Sequence, residues 1–100
     1  MALAIRQDTS YLGKDRWKWS VWLDGSSEEL DDIESVRYIL HATFLDPVRT
    51  VNNRSTNFRL DTTGWGTFKL HVKAVHKDGG ETPLEHQLVL LYPEGMPAAS

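Results

Sequence analysis

The sequence predicts an all-β protein, a β-sandwich of six to eight short strands. Three observations predict it. Apolar residues recur with period two, clusters of turn residues interrupt them at short intervals, and helical periodicity is almost absent. One hundred residues suit one domain around one core.

Taken in order, Ala2–Gln7 is a weak strand candidate, and Arg16–Asp24 is the strongest. There Trp17, Trp19, Val21 and Leu23 alternate with Lys18, Ser20, Trp22 and Asp24, the pattern of a half-buried strand. Only Trp22 breaks the polar face. The turn Asp24-Gly25-Ser26-Ser27 follows, and then the acidic run Ser27–Glu34. A serine cap before Glu28 and Glu29 suits a helix N-terminus, but the run is short, so it reads as a loop holding one helical turn. Val36–His41 is a second strand, β-branched and aromatic and apolar on both faces. Asp46-Pro47 and Val51-Asn52-Asn53 are turn signals, Thr56–Leu60 is a weak strand, and Thr63-Gly64 is another turn. Phe68, Leu70, Val72 and Ala74 alternate with Lys69, His71, Lys73 and Val75 in a third strand. Asp78-Gly79-Gly80 then reads as a hairpin into a fourth, Leu84–Tyr92, whose aliphatic density predicts burial on both sides. Residues 1–93 are read as the domain, and 94–100 as a flexible tail or the start of a linker.

Composition narrows the function. The absence of cysteine removes disulfide frameworks, thiolate metal sites and cysteine nucleophiles together. Eleven basic against fourteen acidic residues argue against direct nucleic-acid binding, which leaves a basic footprint. No apolar run approaches the ~20 residues of a membrane span, and the first residues lack the basic region of a secretory signal. The expectation is a cytoplasmic protein (nuclear in a eukaryote), monomeric or part of a larger protein, with no membrane partner.

Enzyme signatures are missing too. There is no Gly-x-Ser-x-Gly elbow, no phosphate-cradling glycine loop and no His-Glu-x-x-His. His71 and His76 have opposite parity on one strand and cannot share a metal, and nothing supports a site built from His41 and His86. The chain is expected to be non-catalytic, with no metal and no cofactor. Asp24–Glu34 lacks the spacing of a calcium loop and reads as a solvated face, as do Arg49, Arg54 and Arg59.

Two segments carry residues unusual for loops: His41-Ala42-Thr43-Phe44 with Asp46-Pro47-Val48-Arg49, and Thr63-Gly64-Trp65-Gly66-Thr67-Phe68. Glycines on either side of a tryptophan let backbone approach a ligand while the ring supplies a flat wall. The competing reading makes Trp65 a plug at the end of the core.

The sequence resembles the YEATS domain family from about Arg16 to Leu90. The resemblance rests on Trp19-Ser20-Val21-Trp22-Leu23-Asp24-Gly25, Ile33–His41, Thr43-Phe44, Pro47-Val48-Arg49, Phe58 and Gly64-Trp65-Gly66-Thr67-Phe68. It implies an immunoglobulin-like β-sandwich whose loops at one end bind acylated lysine, acetyl or flatter crotonyl-type groups, on a partner protein or peptide. Carried over by position, Phe44 and Trp65 resemble the two aromatic walls of the slot. Thr43 is similar to the hydroxyl residue that bonds the amide, His41 to the histidine that orders the pocket, and Gly64 and Gly66 to the residues flanking the second wall. The chain departs from the family's eukaryotic pattern in the polar stretch 51–58 and in carrying Gln87 where an acid for a histone-tail arginine is usual. The short loops resemble the compact prokaryotic branch. The slot chemistry transfers more readily than the ligand's identity, and the slot is expected to act with little help from peptide flanks. The alternative is an immunoglobulin-like adaptor that holds another protein and uses Trp65 structurally.

Overall fold

A computed structural model describes residues 3–42, 44 and 46–97. The chain runs β1 (Ala4–Gly13), β2 (Arg16–Asp24), α1 (Ser27–Asp31), β3 (Ile33–Ile39), β4 (Val48–Val51), β5 (Leu60–Gly64), β6 (Phe68–His76) and β7 (Glu81–Leu88). Every pairing is antiparallel, and the strands form two sheets, β1-β2-β5 and β4-β3-β6-β7. This is an all-β sandwich of the immunoglobulin-like kind.

The alternation read from the sequence is the alternation that packs. Trp17, Trp19, Val21 and Leu23 of β2 are buried, and they face Val36 and Tyr38 of β3 and Leu70, Val72 and Ala74 of β6 across the core. Each large side chain sealed there contributes about 1.5–3 kcal/mol of apolar burial. Trp22 stays half-buried on the polar face of β2, under the Arg59 guanidinium 5.4 Å from its ring centroid. That cation–π contact accounts for an aromatic ring on an otherwise polar face.

β3 runs Ile33–Ile39 rather than Val36–His41, β4 lies where only turns were expected, and three further elements differ, each for a local reason. β1 is longer than the weak candidate because it is an edge strand with one face to solvent, so Gln7, Asp8, Thr9 and Ser10 stand where a central strand would be apolar. The region expected as a strand over Thr56–Leu60 begins instead with a 3-10 turn, Arg54–Thr56, and β5 starts only at Leu60. Asn53 caps that turn through its side chain, and Asn57 and Phe58 both adopt left-handed conformations, φ 56° and 59°. A left-handed phenylalanine is costly. It is held because its ring is fully buried, its N–H donates to the Asn53 carbonyl, and its own carbonyl accepts the Tyr38 hydroxyl. Burial also pushes the Tyr38 hydroxyl pKa up. Finally, β7 spans Glu81–Leu88 rather than Leu84–Tyr92 and is exposed on one face, because it too is a sheet edge.

The sandwich has two distinct ends. One carries α1, the Arg54–Thr56 turn and the β6–β7 hairpin, whose Gly79 supplies φ +94°. Ser26 caps α1 in a full capping box with Glu29, as the serine-then-acid pattern anticipates. The other end gathers the β1–β2 turn, residues 40–42, 44 and 46–47, residues 65–67 and the segment after β7. That last segment folds back: the Trp17 indole N–H donates to the Leu91 carbonyl, 2.9 Å, the Tyr92 N–H donates to the Met96 carbonyl, and Leu91 bridges Pro97.

Candidate functional site

Strand register brings the two singled-out segments to the same end. Ile39 of β3 pairs with Val48 on one side and His71 on the other, so the chain leaves the sheet just before His41. The Leu40 N–H donates to the Pro47 carbonyl at 2.7 Å and closes the base of the 40–47 loop. Within it the Phe44 N–H donates to the His41 carbonyl, Asp46 takes φ 52°, and the Arg49 Nε donates to the Asp46 carbonyl. On the second side, Gly64 pairs with Trp17 at the last position of β5 and hands the chain to Trp65.

These loops place four aromatic rings in one cluster. Phe44 tilts onto Phe68, centroids 5.6 Å apart, and stands edge-to-face with Trp19 at 6.2 Å and 87°. Phe68 also meets Trp19 at 6.0 Å and His41 at 6.2 Å. Such edge-to-face contacts contribute about 0.5–1.5 kcal/mol each and fix ring orientation as well as position. Gly64 is the hinge between the loops. A Cβ there would lie 3.1 Å from Trp19 Nε1 and 3.3 Å from Phe44 Cζ, so only glycine leaves both rings where they are. Trp19 Nε1 is buried and has no hydrogen-bond partner among the described residues.

Trp65 behaves differently. It is 53% exposed and its ring has no close aromatic partner among the described residues, so it does not plug the core. Of the residues expected to form the slot, His41, Phe44, Gly64, Trp65 and Gly66 therefore share one end, while Thr43 lies outside the described residues. Phe44 is half-buried against the core and Trp65 projects toward solvent. Sequence reasoning placed Trp19 on the buried face of its strand and Phe68 at the end of the second loop segment, and gave neither a role in the slot. The signal was there in parity: both face inward on strands that end beside the two loops.

Several charged groups elsewhere are paired. His76 lies between Asp32 Oδ2, 3.2 Å, and Thr82 Oγ1, 2.7 Å, at the far end. His86 Nε2 meets Gln7 Oε1 at 2.6 Å, and His71 sits 3.6 Å from Glu85. Among the described residues no three metal-ligating side chains converge. The acidic run is tied down piecemeal, with Arg6 on Asp24 and Arg54 on Asp31, and Arg59 bonds Asp61 and Ser20. Beside the site, the Tyr92 hydroxyl donates to Asp15, and the resulting hydrogen bond to a carboxylate raises its pKa to about 12.

The arrangement invites comparison with known proteins. The prokaryotic YEATS domain model matches residues 17–89, which contain both loops. The chain belongs to the YEATS domain family. Transcription initiation factor TFIID subunit 14 of Schizosaccharomyces pombe is 34% identical over 91 residues, 85% of this chain. The chain spans 36% of that relative's length. Among solved structures, the Yaf9 YEATS domain recognizing a succinylated histone H3 peptide is 25% identical, with a TM-score of 0.65 over 92% of this chain and 70% of that one. The Yaf9 YEATS domain bound to acetylated histone H3 is 22% identical, with a TM-score of 0.68 over 91% of this chain and 70% of that one, and speaks for the fold. No helix among the described residues of this YEATS domain is long and apolar enough to cross a membrane.

Proposed function

We propose that this YEATS domain is a non-catalytic reader of acylated lysine on a partner protein or peptide, with Phe44 and Trp65 as the walls of the slot. The observation that carries the reading is the contrast between the two rings. Phe44 is locked from behind by Trp19 and Phe68, while Trp65, between Gly64 and Gly66, keeps half of its surface in solvent. A fixed wall and an exposed ring at the same end suit a planar guest.

The chemistry follows from what acylation does to lysine. It removes the charge and leaves a flat amide with one donor and one acceptor. In the family's manner, a Thr43 hydroxyl accepts the amide N–H and the Trp65 backbone N–H donates to the acyl oxygen. Leaving either unmet in a closed slot costs about 1–3 kcal/mol, which separates an amide from an alkyl chain. Flat, conjugated chains gain contact with both rings and are expected to outrank acetyl. Yaf9, which this chain resembles, recognizes a succinylated histone peptide, so a succinyl arm belongs in the test.

The test is a fluorescence titration with acetyl-, crotonyl-, succinyl- and unmodified lysine peptides of one sequence. Saturable crotonyl binding that Trp65→Ala abolishes, with stability changed by less than about 1 kcal/mol, supports the reading. Equal binding of the acylated and unmodified peptides discards it in favour of an adaptor. Unfolding of Trp65→Ala would return that ring to a structural role.

A further inference from the structure

The site end of the sandwich is greasy well beyond the slot. Among the described residues, the exposed large hydrophobic side chains are Leu12, Val48, Trp65, Val89, Leu91 and Met96. Strand register puts all of them at or toward this end. Leu12 follows Tyr11, which pairs with Trp17, and Trp17 pairs with Gly64, the residue before Trp65. Val48 pairs with Ile39 at the foot of the 40–47 loop. Val89 and Leu91 follow Leu88, the partner of Phe68, and Met96 is bonded back to Tyr92 beneath Trp17. Exposed apolar residues gathered in one place mark a contact surface, whereas scattered ones do not.

Resting on the reading above, we infer that this rim selects the partner: an acylated lysine whose neighbours two or three positions away are apolar, with no arginine beside them. Distance supports the occupant. Neighbouring strands lie about 4.8 Å apart, so Leu12 stands two strand spacings, roughly 10 Å, from Trp65. An extended peptide covers that in about three residues. A peptide with its acyl-lysine in the slot therefore lays its near neighbours on Leu12 and Leu91 to one side or on Val48 to the other.

Charge supports it as well. Lys14 and Arg16 stand exposed at this end with no ion-pair partner among the described residues, whereas Asp15 is engaged by Tyr92. Gln87 is exposed where the family pattern has an acid for an arginine. Lys14 and Arg16 repel a basic flank at the β1–β2 turn and position 87 offers it no carboxylate, while Asp46 and Glu94 are the exposed acids of this end besides Asp15 among the described residues. An apolar flank meets the exposed side chains of Leu12, Val48, Val89, Leu91 and Met96. The rim thus replaces the expectation of a slot acting alone.

The experiment measures affinity for three probes: a capped single crotonyl-lysine, a crotonyl-lysine peptide with leucine and valine at the second and third flanking positions, and its arginine-flanked counterpart. The apolar peptide is expected to bind about tenfold or more tightly than the arginine peptide. In Leu91→Ser and in Met96→Ser, both on exposed side chains, that advantage shrinks to within about threefold while the capped residue binds as before. Equal or tighter binding of the arginine peptide overturns the inference, and so does an advantage that survives both substitutions. Failure of the capped crotonyl-lysine to bind overturns the slot reading instead, and the rim inference with it.

Discussion

The two ends of this sandwich solve opposite problems with the same strands. The far end closes itself. Ser26 and Glu29 cap α1 reciprocally, the Lys77 N–H donates to the Asp32 carbonyl, Arg54 pairs with Asp31, and His76 spans Asp32 and Thr82. Leu30 beneath is buried. The site end leaves itself open, with Trp65 and the apolar rim in solvent and Trp19 Nε1, behind Gly64, without a hydrogen-bond partner among the described residues. Exposed apolar surface invites aggregation, so concentrating it at one end is explicable when a partner covers it. At the far end many of the polar groups satisfy one another, and among the described residues no large apolar side chain is exposed there. Stability and recognition are divided between them.

The sharpest way to break that division is to damage the far end and look for an effect at the site. Leu30→Ala removes a buried leucine side chain from under α1 and should cost about 2–5 kcal/mol in chemical denaturation. The affinity of the folded fraction for crotonyl-lysine should not change. A shift of more than about threefold in that affinity would mean that the ends are coupled through the core.

Next in size is Gly64→Ala, the complementary experiment at the site end. The added methyl would press on the Phe44 ring at 3.3 Å and the Trp19 indole at 3.1 Å. Overpacking of this kind costs about 1–3 kcal/mol of stability. Because the displaced ring is a proposed wall of the slot, binding should fall by at least tenfold in protein that is still folded. Unchanged binding would show that Phe44 can shift without consequence, which would remove it from the slot.

Much of this division is legible in the sequence. Period-two alternation identifies β2 and β6 to within a residue at either end, and their parity identifies the core. The two loops stand out because tryptophan between glycines and an aromatic beside a turn conflict with ordinary loop composition. What stays hidden has physical causes. Edge strands β1 and β4 bury half of one face at most, so β1 reads as polar and β4, four residues long, as part of a turn. Phe58 is placed by a long-range hydrogen bond from Tyr38, which no local pattern announces. The cluster behind Phe44 needs Trp19 and Phe68 from different sheets, a contact set by how the sheets pack. The rim is hidden because exposure is not a property of residue type: Leu12 and Leu23 are the same letter, and register alone makes one exposed and the other buried.

A smaller change tests whether the far end owes its closure to local capping. Ser26→Ala removes the acceptor of the Glu29 N–H and should cost about 1 kcal/mol, with Ser26→Gly costing less. Hydrogen exchange should quicken over α1 and the Asp32–Lys77 contact while protection at residues 64–68 holds. Quickening at both ends alike would contradict the separation.

The smallest effect lies between the ends, on the seam where β7 meets β1. His86 is partly buried there, and desolvation lowers its pKa below the ordinary histidine value. A histidine that is harder to protonate when folded binds fewer protons in the native state than in the unfolded one. Its contribution is therefore intact above the ordinary value of about 6.5, is lost as pH falls below that, and levels off once pH passes the depressed native value. Gln7 Oε1 accepts from both the Val89 N–H and, in the neutral tautomer that donates from Nε2, His86. Protonation leaves that hydrogen bond in place, so the loss comes from desolvating the charge, which keeps it small. Denaturation midpoints measured between about pH 7.5 and pH 5.5 should fall more steeply in the native sequence than in His86→Gln, which fills the same place without titrating. Crotonyl-lysine affinity should show no His86-dependent change over that range, since the seam touches neither loop. A binding change that tracks His86 would place the seam under the control of the site, and the two ends would then have to be treated as one device.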